Sequence, residues 1–264
     1  MKLKPSKLWL TAMFCTLFAA VASGQDAPAA STSPASVDAR VRDGERLIGE
    51  QKPAEALKAF EQAAALDPNN EQAVVGQYIS LVQLKRVDDG AKVLEKWVAA
   101  KPDDPRRWLC KGMCEAQTDR PAEALKSFDK LIQLQPGEGF PWVGKGQMLA
   151  ALKRNDEALK AFDRAIILAP KHEAAWSGRG GALLGMGKYD DAIESFNKAL
   201  ELAPQWSEQW YNRACAYALK GDKTNALSDL KRAIELNPSL KTQAPKDEDF
   251  KSLQGDKAFK KLTE

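Results

Sequence analysis

Proline returns every 34 residues across most of this chain, at Pro68, Pro102, Pro136, Pro170, Pro204 and Pro238. Trp108, Trp142, Trp176 and Trp210 keep the same step. So do Ala124, Ala158, Ala192 and Ala226, with Ala56 on the same comb and Gly90 interrupting it. A further comb carries Phe60, Leu94, Phe128, Phe162, Phe196 and Leu230. A fixed period held without insertion or deletion means one supersecondary unit, repeated, whose apolar face only its neighbours can cover. Six units fit: 37–70, 71–104, 105–138, 139–172, 173–206 and 207–240.

Each unit reads as two helices. In the fourth, "FPWVGKGQMLAALK" carries apolar residues at helical spacing. "RNDE" breaks that pattern and places acids in the next first turn, where the helix dipole favours them. "ALKAFDRAIILA" forms the second helix, and Pro170 ends it by pushing the preceding residue out of helical geometry. Gly112, Gly146, Gly180 and Ala214 fall in the middle of first helices, and the alanine comb falls early in second helices. Small side chains at such a crossing let two backbones approach, and Trp and Phe fill the flanks.

Trp at position 4 of the unit, Gly at 8, Ala at 20, Phe at 24, Ala at 27 and Pro at 32 resemble the tetratricopeptide pattern. The resemblance covers residues 37–240. It implies an all-α fold, a right-handed solenoid of six helix-turn-helix repeats in which each first helix lines a concave groove. The early units depart from the pattern: Arg40 replaces the first aromatic, Val74 and Tyr78 replace Trp and Gly in the second, and bulky Trp97 stands where Ala is usual. Phe250, Leu253, Phe259 and Leu262 recur at helical spacing in 241–264, which reads as a C-terminal helical cap over the last apolar face.

The first 24 residues place basic "MKLKPSK" before the apolar run Leu8–Ala22, followed by small residues. That order reads as a signal peptide cleaved after Ala22 or Gly24, and hence as export to a periplasm or the extracellular space. The run is too short for a membrane span, which needs about 20 residues. The Ala/Ser/Pro tract 25–36 reads as a disordered tether, since it cannot bury enough surface to offset its ordering entropy. Lys2, Lys4 and Lys7 belong to the leader; without them 36 basic residues face 36 acidic ones. Charge therefore gives no argument for a nucleic acid or an anionic membrane as partner.

Five glycines and a lysine crowd into "WSGRGGALLGMGKYDDA", Trp176–Ala192. A phosphate loop needs Gly-Lys-Ser/Thr, but Tyr189 follows Lys188, and Ala182 stands where the earlier glycine belongs. The dinucleotide fingerprint fails at Leu183. The repeat accommodates these glycines instead: Gly180 at the crossing, Gly185 and Gly187 at the turn, Gly178 and Gly181 thinning the groove side. Cys110 and Cys114 lie one helical turn apart and read as core packing. A structural metal usually takes four ligands, and β-carbons about 5–6 Å apart exceed the about 3.8 Å of a disulfide. Lys111, Lys145, Arg179 and Arg213 form a ladder at position 7, read as long stems packed along helices with their heads in water. A single loop histidine, His172, and no catalytic motif leave no residue assigned to catalysis, cofactor or metal binding.

Function then rests on the groove. Positions 5 and 9 of first helices face it in the resembled family, which points to Val75, Ile79, Leu109, Met113, Val143, Gln147 and Tyr211. Family members that grip the carboxylate tails of heat-shock chaperones carry Lys and Asn on this face. Neither residue occurs at positions 5 or 9 here, so that activity does not carry over. The expected function is a non-catalytic scaffold in a bacterial envelope, holding a protein segment, peptide or helix, in the groove. A carbohydrate-binding or glycan-assembly accessory and a homo-oligomerising assembly factor are the alternatives, with an enzyme the weakest.

Overall fold

The computed structural model describes residues 36–264. The leader and nearly all of the tether lie outside these residues; Ser36, the tether's last residue, accepts from the Ala39 amide and caps the first helix. All regular structure among the described residues is helical. The first helices of the six repeats are α1 (Val37–Gly49), α3 (Glu71–Gln83), α5 (Pro105–Gln117), α7 (Gly139–Ala151), α9 (Glu173–Gly185) and α11 (Ser207–Lys220). The second helices are α2 (Pro53–Leu66), α4 (Val87–Ala100), α6 (Pro121–Leu134), α8 (Asn155–Leu168), α10 (Tyr189–Leu202) and α12 (Lys223–Leu236). The chain forms two compact units, α1–α6 and α7 onward.

The turn inside each repeat sets the hairpin. At position 15 the backbone is left-handed in all six: Gln51, Lys85, Asp119, Lys153, Gly187 and Gly221. Glycine alone among them takes that geometry without steric cost. The glycine-rich stretch of the fifth repeat thus runs along α9 into this turn: Gly178, Gly180, Gly181 and Gly185 are helical, Gly187 takes the left-handed geometry, and Lys188 is the N-cap residue of α10. Acids then open the second helices, as at Asp156 and Glu157 of α8, where the exposed amides favour negative charge.

Packing follows from the phenylalanine comb. A β-carbon on Gly44 would lie 2.6 Å from the Phe60 ring, and one on Gly76, in the next repeat, 2.3 Å from it. Phe162 is held likewise between Gly146 and Gly178, at 2.7 and 2.2 Å. Each ring thus fills a slot made by glycine on its own first helix and on the following one. Gly178 accordingly faces the core rather than the groove. Gly181 does face open space, with nothing within 4 Å of an added β-carbon.

In the α1–α6 unit the second and third repeats meet differently. Trp97, at the usual alanine position of α4, is buried together with Arg107 of α5, which also stands where its counterparts in α1, α3 and α9 carry alanine. The Arg107 guanidinium lies 4.8 Å from the Trp97 ring centre and donates to Trp97 O at 2.5 Å and Asn69 Oδ1 at 2.7 Å. The second bulky residue solves the problem set by the first: it stacks on the indole and its charge is met by oxygen acceptors.

The C-terminal segment is a short helix α13 (Leu240–Gln243), two 3-10 turns (Ala244–Lys246 and Glu248–Leu253) and a last helix α14 (Lys257–Thr263). Phe250, Leu253 and Phe259 are buried in one core with Tyr211, Ala214 and Leu230, so the segment closes the apolar face of the final repeat. Tyr211 meets Phe250 edge-on at 5.4 Å, and Phe250 lies 5.8 Å from Phe259.

Candidate functional site

The seven groove residues divide by unit and by burial. In the α1–α6 unit, Ile79 on α3 and Leu109 on α5 are half-buried and present apolar surface. Val75 and Met113, beside them in the repeat pattern, are withdrawn from solvent. The strip of four is thus two residues at the surface over two in the core. Met113 cannot serve as an adaptable contact while its side chain is packed.

The α3–α5 pairing that carries this surface is fastened by one hydroxyl. Tyr78 Oη donates to the carbonyl oxygen of Cys114 at 2.8 Å and lies 2.6 Å from Thr118 Oγ1. Burial pushes the phenol pKa well above its ordinary value, so Tyr78 remains a donor throughout the physiological range. The tyrosine that replaced a crossing glycine therefore orients α3 against α5.

In the second unit Val143 on α7 is fully buried, and Gln147 is half-buried. Tyr211 on α11 is buried by the C-terminal segment, and its hydroxyl donates to Asp247 Oδ2 at 2.8 Å. It is consumed by the cap and is not an open contact. Between these helices α9 offers Ser177 and Gly181 at the corresponding positions, so its wall is thin there.

The basic ladder resolves into internal fasteners. Arg213 forms a bidentate pair with Asp229, at 2.6 and 2.9 Å, and reaches Asn197 of the preceding repeat at 2.6 Å. Arg179 joins Asp163 of the preceding repeat at 2.9 Å and Ser195 at 2.7 Å. Lys111 is buried against Glu115 at 2.7 Å, and Ser127 donates to the other Glu115 oxygen at 2.6 Å. The heads of these three are therefore held by neighbouring side chains rather than left in water. They cross-link helices and offer no basic strip to a partner.

Groups suited to chemistry are similarly occupied. The Cys110 and Cys215 thiols are held well above their ordinary pKa: for Cys110 the hydrogen bond to Cys114 acts with burial, and for Cys215 burial leads. A nucleophile needs a depressed thiol, so neither is poised for attack at neutral pH. Among the described residues no three His, Cys, Asp or Glu side chains cluster to hold a metal ion. None of the described helices is long and apolar enough to cross a membrane.

Comparison with known proteins agrees with the geometry. Tetratricopeptide-repeat family models match residues 47–113, 142–173, 173–205 and 207–240, together well over half of the chain. Search of the curated proteins finds no match. Among solved structures, PilW, a type IV pilus biogenesis factor, aligns with a TM-score of 0.60 at 18% identity, covering 82% of this chain and 97% of PilW. Pseudomonas aeruginosa pilF aligns at 0.60 and 15% identity, covering 84% of this chain and 97% of its own. MamA aligns at 0.53 and 22% identity, covering 61% and 94%. Identities this low establish a shared fold and nothing finer. With the repeat matched in sequence and the helix pairs present in space, the chain belongs to the tetratricopeptide-repeat family.

Proposed function

We propose that this protein is a non-catalytic interaction scaffold that binds an apolar peptide or amphipathic helix on the first-helix face of the α1–α6 unit. Tetratricopeptide proteins are in general scaffolds for protein interaction. The observation that carries the finer reading is the pair Ile79 and Leu109, branched apolar side chains left at the surface of successive first helices above a buried Val75 and Met113. Such a face suits apolar anchors of a partner helix or extended segment. The order of charge and hydrophobicity in residues 1–24 supports a site of action in a bacterial envelope, outside the cytoplasm.

The test is a photo-activatable residue at position 79 or 109, compared with one on the exposed second-helix residue Lys126. The reading expects one discrete adduct from the first two positions in native cells and none from Lys126. Ile79→Asp should remove the adduct at position 109 while helical circular dichroism stays unchanged, since the new charge would be stranded in a desolvated contact. Equal adducts from all three positions would refute the assignment of the face.

A further inference from the structure

Each tryptophan of the repeat comb stands in the first turn of a first helix, six residues after the proline that ends the preceding repeat. Trp108, Trp176 and Trp210 donate their indole N–H to the carbonyl oxygens of Pro102, Pro170 and Pro204, at 2.7, 2.9 and 2.8 Å. The bond latches the loop between two repeats to the helix that follows it. A backbone bond doubles the latch: Arg107, Ala175 and Gln209 donate to the carbonyls of Asp104, His172 and Trp206, at 3.2, 3.0 and 3.1 Å.

The fourth repeat lacks both ties. The Trp142 indole N–H is buried and finds no acceptor among the described residues, although Pro136 stands at the usual place. Pro141 holds the position of Arg107, Ala175 and Gln209 and has no N–H to donate. Gly139 opens α7 where its counterparts Pro105, Glu173 and Ser207 carry side chains. A β-carbon there would lie 2.8 Å from Ala169 Cβ and 3.1 Å from Ala165 O, so glycine lets the first turn of α7 close on the end of α8. Helix α7 is thus fastened to its own hairpin partner rather than to the loop before it. That loop, 135–138, is exposed at every residue, whereas Asp104, His172 and Trp206, at the place of Glu138, are half-buried. The division of the chain into two compact units falls at the same point, after Leu134.

We propose that residues 135–138 are a flexible joint, at which each compact unit moves as its own body. A repeat array draws its stiffness from the bonds and packing between successive repeats. At this loop the hydrogen bonds that hold its counterparts are missing, and local opening concentrates where such ties and buried contacts are few. Gly137, with nothing within 4 Å of an added β-carbon, adds backbone freedom. The Ile79 and Leu109 surface then turns with the α1–α6 unit, independently of the capped end of the chain.

Two measurements on the full-length protein test the joint. The first is the distance distribution between paired spin labels on exposed second-helix residues one repeat apart. Lys126→Cys with Lys160→Cys spans the loop 135–138, and Lys160→Cys with Glu194→Cys spans the latched loop 169–172. The proposal expects a broader distribution from the first pair. The second is amide hydrogen exchange over residues 135–142, 169–176 and 203–210, expected about tenfold faster in the first segment, the factor that one lost hydrogen bond represents. Replacing tryptophan by phenylalanine keeps an aromatic ring and removes the N–H. Trp176→Phe should speed exchange in 169–172 and lower the melting midpoint. Trp142→Phe should leave exchange in 135–138 unchanged, since the donor it removes is already unpaired. Equal widths for the two label pairs, equal exchange in the three segments, or faster exchange of 135–138 in Trp142→Phe would overturn the proposal.

Discussion

Lys153 and Gly187 hold the same left-handed place in successive hairpin turns, and only the glycine holds it without strain. A β-carbon in this geometry costs about 1 kcal/mol. Lys153→Gly should therefore raise the unfolding free energy read from urea denaturation by an amount of that order, and Gly187→Ala should lower it, with the slope of the transition unchanged. The sequence shows the glycines but not that four other turns adopt their conformation, because hairpin geometry overrides local preference there. At the junction of the second and third repeats two departures from the pattern compensate each other. Trp97 reads as a misfit in isolation; Arg107 makes it a fit, and that pairing across a repeat boundary is invisible in either residue alone. Trp97→Ala should cost about 3–5 kcal/mol as a large buried aromatic. In a double-mutant cycle with Arg107→Ala, a coupling of about 1 kcal/mol or more is expected, because each single change strands the other partner. Strict additivity would mean that the two do not support one another.

At the level of elements, helix pairs were legible because the proline, phenylalanine and alanine combs each reflect a packing requirement that recurs in every unit. The C-terminal cap was legible as an apolar pattern but not in form, since Phe250 and Leu253 lie in a 3-10 turn rather than an α-helix. Phe250 is fully buried, and Phe250→Ala should destabilise the second unit by about 3–5 kcal/mol. The cap also carries a pH dependence. Burial, with the neighbouring Asp247 charge, raises the Asp249 carboxyl above its ordinary 3.8. Its protonated form is the one the fold prefers. The stabilisation is fully present below pH 3.8 and is lost as pH rises through the higher folded value. Asp249→Asn, which keeps an oxygen acceptor for the Cys215 thiol, should therefore raise the melting midpoint at neutral pH and leave it unchanged in acid. A lower midpoint at neutral pH would show that the ionised carboxylate is stabilising.

Over the whole molecule, the balance of charge gives no argument for a nucleic acid or an anionic membrane as partner, and Lys111, Arg179 and Arg213 of the basic ladder are held in internal contacts. The groove was legible only as a set of positions. Sequence register cannot tell which members the neighbouring helices cover, and burial separates Ile79 and Leu109 from Val75, Met113, Val143 and Tyr211. Residues 1–24 lead to the expectation that protein from fractionated cells begins at Ser23 or Gln25, read by N-terminal sequencing; an intact Met1 on cytoplasmic material would remove the envelope from the account. The central claim is that the α1–α6 unit binds through Ile79 and Leu109 while Met113 belongs to its core. One paired measurement tests it most directly: partner crosslinking and melting midpoint for Leu109→Asp and Met113→Asp, each read through a photo-activatable residue at position 79. The account predicts that Leu109→Asp loses the adduct with an unmoved midpoint, whereas Met113→Asp lowers the midpoint itself. An adduct that persists in Leu109→Asp, or a midpoint that collapses in it, would contradict the account.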